Sequence, residues 1–102
     1  MVARVARFEG VNVERTRGMI DEVEAIIGPM VEALPGYRGN LDMVAADGTQ
    51  LSITLFDTDE NADAAERVFD EDLPRALGET FDSWEGRRVA VERYEVLVDM
   101  RG

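Results

Sequence analysis

Arg4, Asn40, Thr54, Trp84 and Tyr94 are the polar side chains best placed to handle a small molecule, and they are few because whole classes of chemistry are missing. The chain has no histidine, no cysteine and no lysine, and its 11 cations are all arginines. Those absent side chains carry most nucleophilic, acid–base and metal-ligand chemistry near neutral pH. Arginine stays charged and rarely trades protons. A histidine-ligated metal, a Ser-His-Asp triad, a thiolate nucleophile and a Schiff base are therefore excluded. Arginine and amide donors, hydroxyls, carboxylates and aromatic faces remain. Such groups hold and polarise a ligand better than they attack it.

Each candidate has a functional and a plain structural reading. Arg4 shares a strand face with Ala6 and Phe8. If Phe8 points at the helices, Arg4 lies at the edge of that layer and suits an anionic ligand group; otherwise it reaches solvent or pairs with an acid. Asn40 and Asp42 share a face with Val44, and Ser52, Thr54 and Phe56 form a similar mixed face next door. Polar groups between apolar ones suit a pocket wall, but also a subunit seam. Trp84, in the loop Asp82-Ser83-Trp84-Glu85-Gly86, either stacks on a flat ligand or plugs a core edge. Tyr94, mid-strand, either donates its phenol to a ligand or is a buried structural residue. Asp57 to Asp63 superficially resembles a calcium loop, yet Ala62 stands where glycine is required and Val68 where the bidentate glutamate belongs. Neither a metal nor a cofactor is expected.

These residues are positioned by elements the periodicity defines. Val2 to Glu9 alternates with period two and reads as a strand. Asn12 is placed to cap a helix from Val13 to Leu34, whose stripe runs Met19, Ile20, Val23, Ile27, Met30, Val31. Pro29 predicts a kink, and Pro35-Gly36 a stop. Tyr37–Ala46 and Thr49–Asp57 are strands joined at Asp47-Gly48, a strong hairpin signal. Thr58 or Asp59 caps a second helix with Ala62, Ala65, Val68, Phe69 and Leu73 inward. Pro74 ends or bends it, a helical turn continues toward Phe81, and Arg87–Val98 is the last strand. Asp99–Gly102 is expected to fray.

The order β-α-β-β-α-β over residues 1–102 predicts one α+β domain of ferredoxin-like form, with a four-stranded antiparallel sheet and both helices on one side. Every strand is apolar on both faces: Val5 against Phe8, Leu55 against Phe56, Val91 against Val96. Helices cover one face, and a second copy is the simplest cover for the other. We therefore expect a homodimer through the sheet faces. The net charge of −11 argues against nucleic acid and anionic membrane surfaces as partners. No apolar run approaches the ~20 residues that span a bilayer, the first residues lack a signal-peptide core, and the lack of cysteine fits a reducing cytoplasm.

Three stretches resemble the dimeric α+β-barrel superfamily, in particular its antibiotic-biosynthesis-monooxygenase-like domains: Ala3-Arg4-Val5-Ala6-Arg7-Phe8-Glu9, Leu34-Pro35-Gly36-Tyr37-Arg38-Gly39, and Ser52-Ile53-Thr54-Leu55-Phe56-Asp57-Thr58-Asp59-Glu60. The resemblance implies a pairing of two ferredoxin-like sheets into a barrel and a pocket between sheet and helices for a small aromatic molecule. Some members oxidise phenols or quinols with molecular oxygen and no cofactor; others degrade haem, typically with a histidine ligand that this chain lacks. Cofactor-free oxygenation asks a protein only to favour the substrate's anion, hold its ring and exclude water, for which arginine, amides and aromatics suffice. Arg4, Phe8, Asn40, Thr54, Phe56, Trp84 and Tyr94 are the candidate ligand-binding residues. Three functions stay open at this point: a cofactor-independent monooxygenase for aromatic, quinol or polyketide-type substrates, a non-catalytic binder of such molecules, and a structural dimerisation module.

Overall fold

A computed structural model of the protein describes residues 1–101, with the side chains of Phe81 and Ser83 outside the description. In chain order the elements are β1 (Val2–Glu9), α1 (Val13–Glu32), β2 (Tyr37–Val44), β3 (Gln50–Phe56), α2 (Asp59–Arg67), a π-helical turn (Val68–Asp72), α3 (Leu73–Leu77), a 3-10 segment (Gly78–Trp84) and β4 (Arg87–Glu95). The strands form one antiparallel sheet in the order β2-β3-β1-β4. This is the expected ferredoxin-like α+β fold. Among the described residues no helix is long and apolar enough to cross a membrane.

Local chemistry sets the boundaries. Asn12 Oδ1 accepts from the Arg15 N–H at 3.0 Å and starts α1. Thr58, not Asp59, caps α2, its hydroxyl accepting from the Asn61 N–H at 3.2 Å. Both satisfy a donor that the first helical turn leaves without a partner. The β2–β3 hairpin closes where the Ala45 N–H donates to Thr49 O at 2.8 Å. Helix α1 runs through Pro29 without ending and stops at Glu32. Gly36 turns the chain into β2 with φ of +76°; a Cβ there would collide with the carboxylate of Asp57 and the amide of Asn61.

Register sorts the side chains into rows across the sheet. Asn40, Thr54, Arg4 and Arg93 form one row; Asp42, Ser52, Ala6 and Val91 the next; Val44, Gln50, Phe8 and Arg88 the third. A bulge in β4 opposite Arg7 and Phe8 brings Arg88, not Val89, beside Phe8. These rows face the helices. A tight core of Phe56, Ala62 and Ala65, flanked by Val2, Leu34 and Phe69, fixes α2 to the sheet at one end. Under α1 the packing is looser: only Thr16 and Val31 of that helix are buried.

The opposite face carries Leu41, Met43 and Tyr94, all exposed. The segment after β4 is shorter in strand than expected, since pairing ends at Glu95. It continues as an irregular strap. The Val96 N–H donates to Met1 O at 3.0 Å, and Arg101 reaches the far edge strand, where Nη2 donates to Arg38 O at 3.5 Å. Arg101 lies against Gly39, whose missing Cβ makes the room. On the helix-free face Ala3 and Leu55 are 8% exposed, whereas Leu97, Val98 and Met100 of the strap are largely exposed. Asp99 to Arg101, where fraying was expected, has no regular structure and carries the contacts of Arg101; Gly102 lies outside the described residues.

Candidate functional site

The loose packing under α1 leaves a half-open cavity of about 340 Å³ between helices and sheet. That volume lies at the lower end of small-molecule sites. The rows described above make its floor: Arg4, Ala6 and Phe8 from β1, Gln50 and Ser52 from β3, Asn40 and Asp42 from β2, and Arg88 from β4. Met19, Ile20, Val23 and Ile27 of α1 form the roof. Phe69 and Asp70 of the π turn, Leu73 and Leu77 of α3, and Trp84 close the side. The half-exposed apolar stripe of α1 is explained by what lies beneath it, which is space and not packed sheet.

The π turn places two of the wall residues. Pro74 has no N–H for the carbonyl four residues back, and its ring presses on that carbonyl. The backbone widens ahead of it, and the Leu73 N–H donates to Val68 O, five residues back. Such widened turns shift the phase of a helix by one residue.

Arg4 is the most constrained charge in the site. It is 2% exposed, its Nε donates to a carboxylate oxygen of Glu66, and its guanidinium carbon lies 4.0 Å above the centre of the Phe69 ring. Its Nη2 is buried with no hydrogen-bond partner among the described residues. A buried donor left unpaired costs about 1–3 kcal/mol, so this group is ready for an acceptor oxygen. Arg93, in the same row, holds Asp59 and Asp63 at 3.0 and 3.1 Å and lies 3.9 Å from Glu66, tying the pair to the start of α2.

At the β2 edge a directed chain of hydrogen bonds runs toward the cavity. The Thr54 hydroxyl, wholly buried, donates to Asn40 Oδ1 at 2.7 Å, and Asn40 Nδ2 donates to Asp42 Oδ2 at 2.8 Å. At the opposite edge Arg88 pairs with Asp70 at 2.6 Å, both groups partly exposed. Near the 3-10 segment, Trp84 is 6% exposed; its Nε1 donates to Gln50 Oε1 at 2.9 Å and its ring meets Phe8 edge-on at 5.0 Å. Gly86 lies under the indole, so close that a Cβ would stand 2.7 Å from it. Among the described residues, no three carboxylates gather as a metal-binding group.

Four of the candidate residues therefore meet in one cavity: Arg4, Phe8, Asn40 and Trp84. Thr54 lies behind the wall and holds Asn40. Phe56 and Tyr94 are elsewhere. Phe56 faces the helices, but in the row beyond Arg4, where α2 seals it at 0% exposure in the core. Tyr94 pairs with Ala3 and so projects from the helix-free face, 51% exposed, its hydroxyl donating to Glu92 at 2.8 Å. That bond and the Glu92 charge raise its pKa. Glu66, Phe69, Asp70, Gln50 and Arg88 are site residues that sequence reasoning passed over. Phe69 belonged to the expected inward stripe of α2, which is the signal that could have found it.

No family model matches the chain, and no curated protein is similar to it in sequence. Its fold, however, is widely shared among solved structures. A dimeric ferredoxin-like protein from an uncultured marine organism superposes with a TM-score of 0.72 at 8% identity, over 99% of this chain and 98% of that one. MhuD, the haem degrader of Mycobacterium tuberculosis, solved with two haems in its active site, gives 0.67 at 17% identity over 99% of this chain and 100% of that one. A proposed antibiotic biosynthesis monooxygenase from Deinococcus radiodurans gives 0.64 at 12% identity, over 100% of both chains. At these identities the likeness is one of fold.

Proposed function

We propose that this chain, whose ferredoxin-like fold is that of antibiotic-biosynthesis-monooxygenase-like domains, binds a small, flat, hydroxylated aromatic molecule between its sheet and helices. The observation that carries the reading is the unpaired Nη2 of Arg4, held by Glu66 and Phe69 at a cavity roofed by the apolar side chains of α1. A phenolic or quinone oxygen would accept from that donor. Phe8, Trp84 and the α1 side chains would cover the ring.

The reaction this arrangement suits is oxygenation without a cofactor. A quinol and O2 become a hydroxyquinone and water, the substrate supplying the electrons. Arg4 would stabilise the developing phenolate oxygen, and the apolar roof would keep water away. Binding without turnover is the second reading. It is favoured by the Glu66 partner, which already takes up much of the Arg4 charge. The chain has no histidine to ligate haem iron, so the proposal does not extend to haem.

The working unit in this reading is a homodimer formed through the helix-free faces. Exposed Leu41, Met43 and Tyr94 support it, as does the dimeric form of a structural neighbour.

Anaerobic titration with 1,4-dihydroxynaphthalene, followed by Trp84 fluorescence, tests the reading. Saturable quenching is expected. An oxygen electrode then separates its two forms: uptake above the rate in buffer supports oxygenation, and uptake equal to buffer leaves binding alone. No change in fluorescence, and no heat by calorimetry, would remove the proposal.

A further inference from the structure

We infer that the cavity selects its ligand by two polar ends of opposite kind, Arg4 as donor and Asp42 as acceptor, so that it takes molecules carrying an aromatic hydroxyl across the ring from an acceptor oxygen. The inference rests on the aromatic-ligand reading above and adds the second contact. Asp42 lines the cavity, and one of its oxygens accepts from Asn40 at 2.8 Å. Asn40 cannot turn over freely, because its own Oδ1 takes the proton of buried Thr54 at 2.7 Å. That bond fixes the amide with its NH2 toward Asp42. Oδ1 of Asp42 has no hydrogen-bond partner among the described residues and is left to accept from a ligand.

The register sets the span. Asp42 lies on β2 and Arg4 on β1, with β3 between them. Two strand spacings of roughly 10 Å and the step of one row along the strands, about 7 Å, together give a gap of about 12 Å, which the arginine side chain and a flat bicyclic ring fill together. A carboxylate at one end and a guanidinium at the other would repel a ligand with two anionic groups. They would favour one that gives a hydrogen bond at one end and receives one at the other. Hydrogen bonds to a charged group are stronger than those between neutral groups, and the exposed Asp42 carboxylate exchanges a water for the ligand hydroxyl when that bond forms.

The test compares 4-methoxy-1-naphthol with 1-methoxynaphthalene, which keeps the acceptor oxygen and lacks the hydroxyl. Calorimetry on the native protein should show the naphthol binding about tenfold tighter or more. Asp42→Ala should bring the two within about twofold while leaving 1-methoxynaphthalene unchanged. Arg4→Met with Glu66→Leu, which removes the ion pair and leaves an apolar wall, should weaken both compounds by a similar factor. If the preference survives in Asp42→Ala while the Arg4 variant still weakens both, the second contact is wrong and the first stands. If neither compound binds the native protein, the aromatic-ligand reading fails and takes this inference with it. Asp42 is exposed on an edge strand, and circular dichroism should show its variant folded.

Discussion

Arg4 carries the account at the scale of single residues. Its alternation with Ala6 and Phe8 was legible in the sequence, and so was the choice between a ligand contact and an acid partner. The structure shows the acid partner and a donor left over. Removing the arginine alone leaves Glu66 with the more distant Arg93, at 3.9 Å, as its remaining cation. Arg4→Met should cost about 1–3 kcal/mol, less than the roughly 3–5 kcal/mol of a fully buried pair because Glu66 is partly exposed. The double variant with Glu66→Leu should recover most of it, as thermal melting would show. Trp84 offers a cleaner probe. Gly86→Ala puts a methyl where the indole lies, so the ring must move and the Gln50 bond must lengthen. Ligand affinity should fall severalfold while the fold persists, read by fluorescence and circular dichroism. An unchanged emission spectrum would show that the indole does not depend on Gly86. Tyr94 was illegible for a definite reason. Its strand has apolar side chains of both parities, Val89 and Val91 against Tyr94 and Val96, and only the pairing with Ala3 decides the face.

At the scale of elements, the strands, α1, α2 and the hairpin follow from alternation, caps and turn residues that the chain displays openly. Thr58 illustrates the cap: Thr58→Ala should destabilise by about 1 kcal/mol, a melting shift of about 4–8 °C for a domain of this size. A shift near zero would mean that Asp59 takes over. The π turn and the β4 bulge were not legible. Each inserts one residue into a regular repeat, and a repeat read from sequence carries its phase straight through such a point. Both insertions serve the cavity. The first sets Phe69 over Arg4, and the second brings Arg88 to Asp70. Pro74→Ala restores the missing N–H and relieves the ring, which should let a regular α-turn form. The variant should be at least as stable as the native protein and bind ligand more weakly, because Phe69 rotates off the guanidinium. Equal affinity would sever the turn from the site.

At the scale of the whole molecule, two apolar sheet faces were plain in the sequence, and the structure gives one to the helices and leaves the other open. Met43→Glu or Leu41→Glu should shift the protein from dimer to monomer in light scattering while retaining its circular dichroism. A native protein already monomeric at micromolar concentration would contradict the pairing. The strap across that face has a pH signature. Hydrogen bonds from Arg101 lower the Asp99 pKa from 3.8 to about 2. A depressed carboxylate contributes above its ordinary pKa and loses that contribution as pH falls toward the lowered value. The tie from Asp99 to Arg101, and with it the reach to Arg38, should hold at pH 5 and loosen between about 4 and 2. The Asp99 carboxyl resonance should titrate near 2; a midpoint at 3.8 would mean that the strap is not held there. The cavity itself was not legible, because its existence depends on how far α1 stands off the sheet, and the stripe on α1 reads the same over a filled core.

The claim that a ligand occupies this space is tested most directly by filling it. Ser52 lies on the floor beside Ala6, half-buried, with the open volume above it. Ser52→Phe should therefore fold with a melting temperature equal to or above the native value, since it adds apolar surface where nothing is displaced. Calorimetric titration with 4-methoxy-1-naphthol should then give a measurable dissociation constant for the native protein and no detectable heat for the variant. Equal affinity in both proteins would place the ligand outside the cavity and contradict the account.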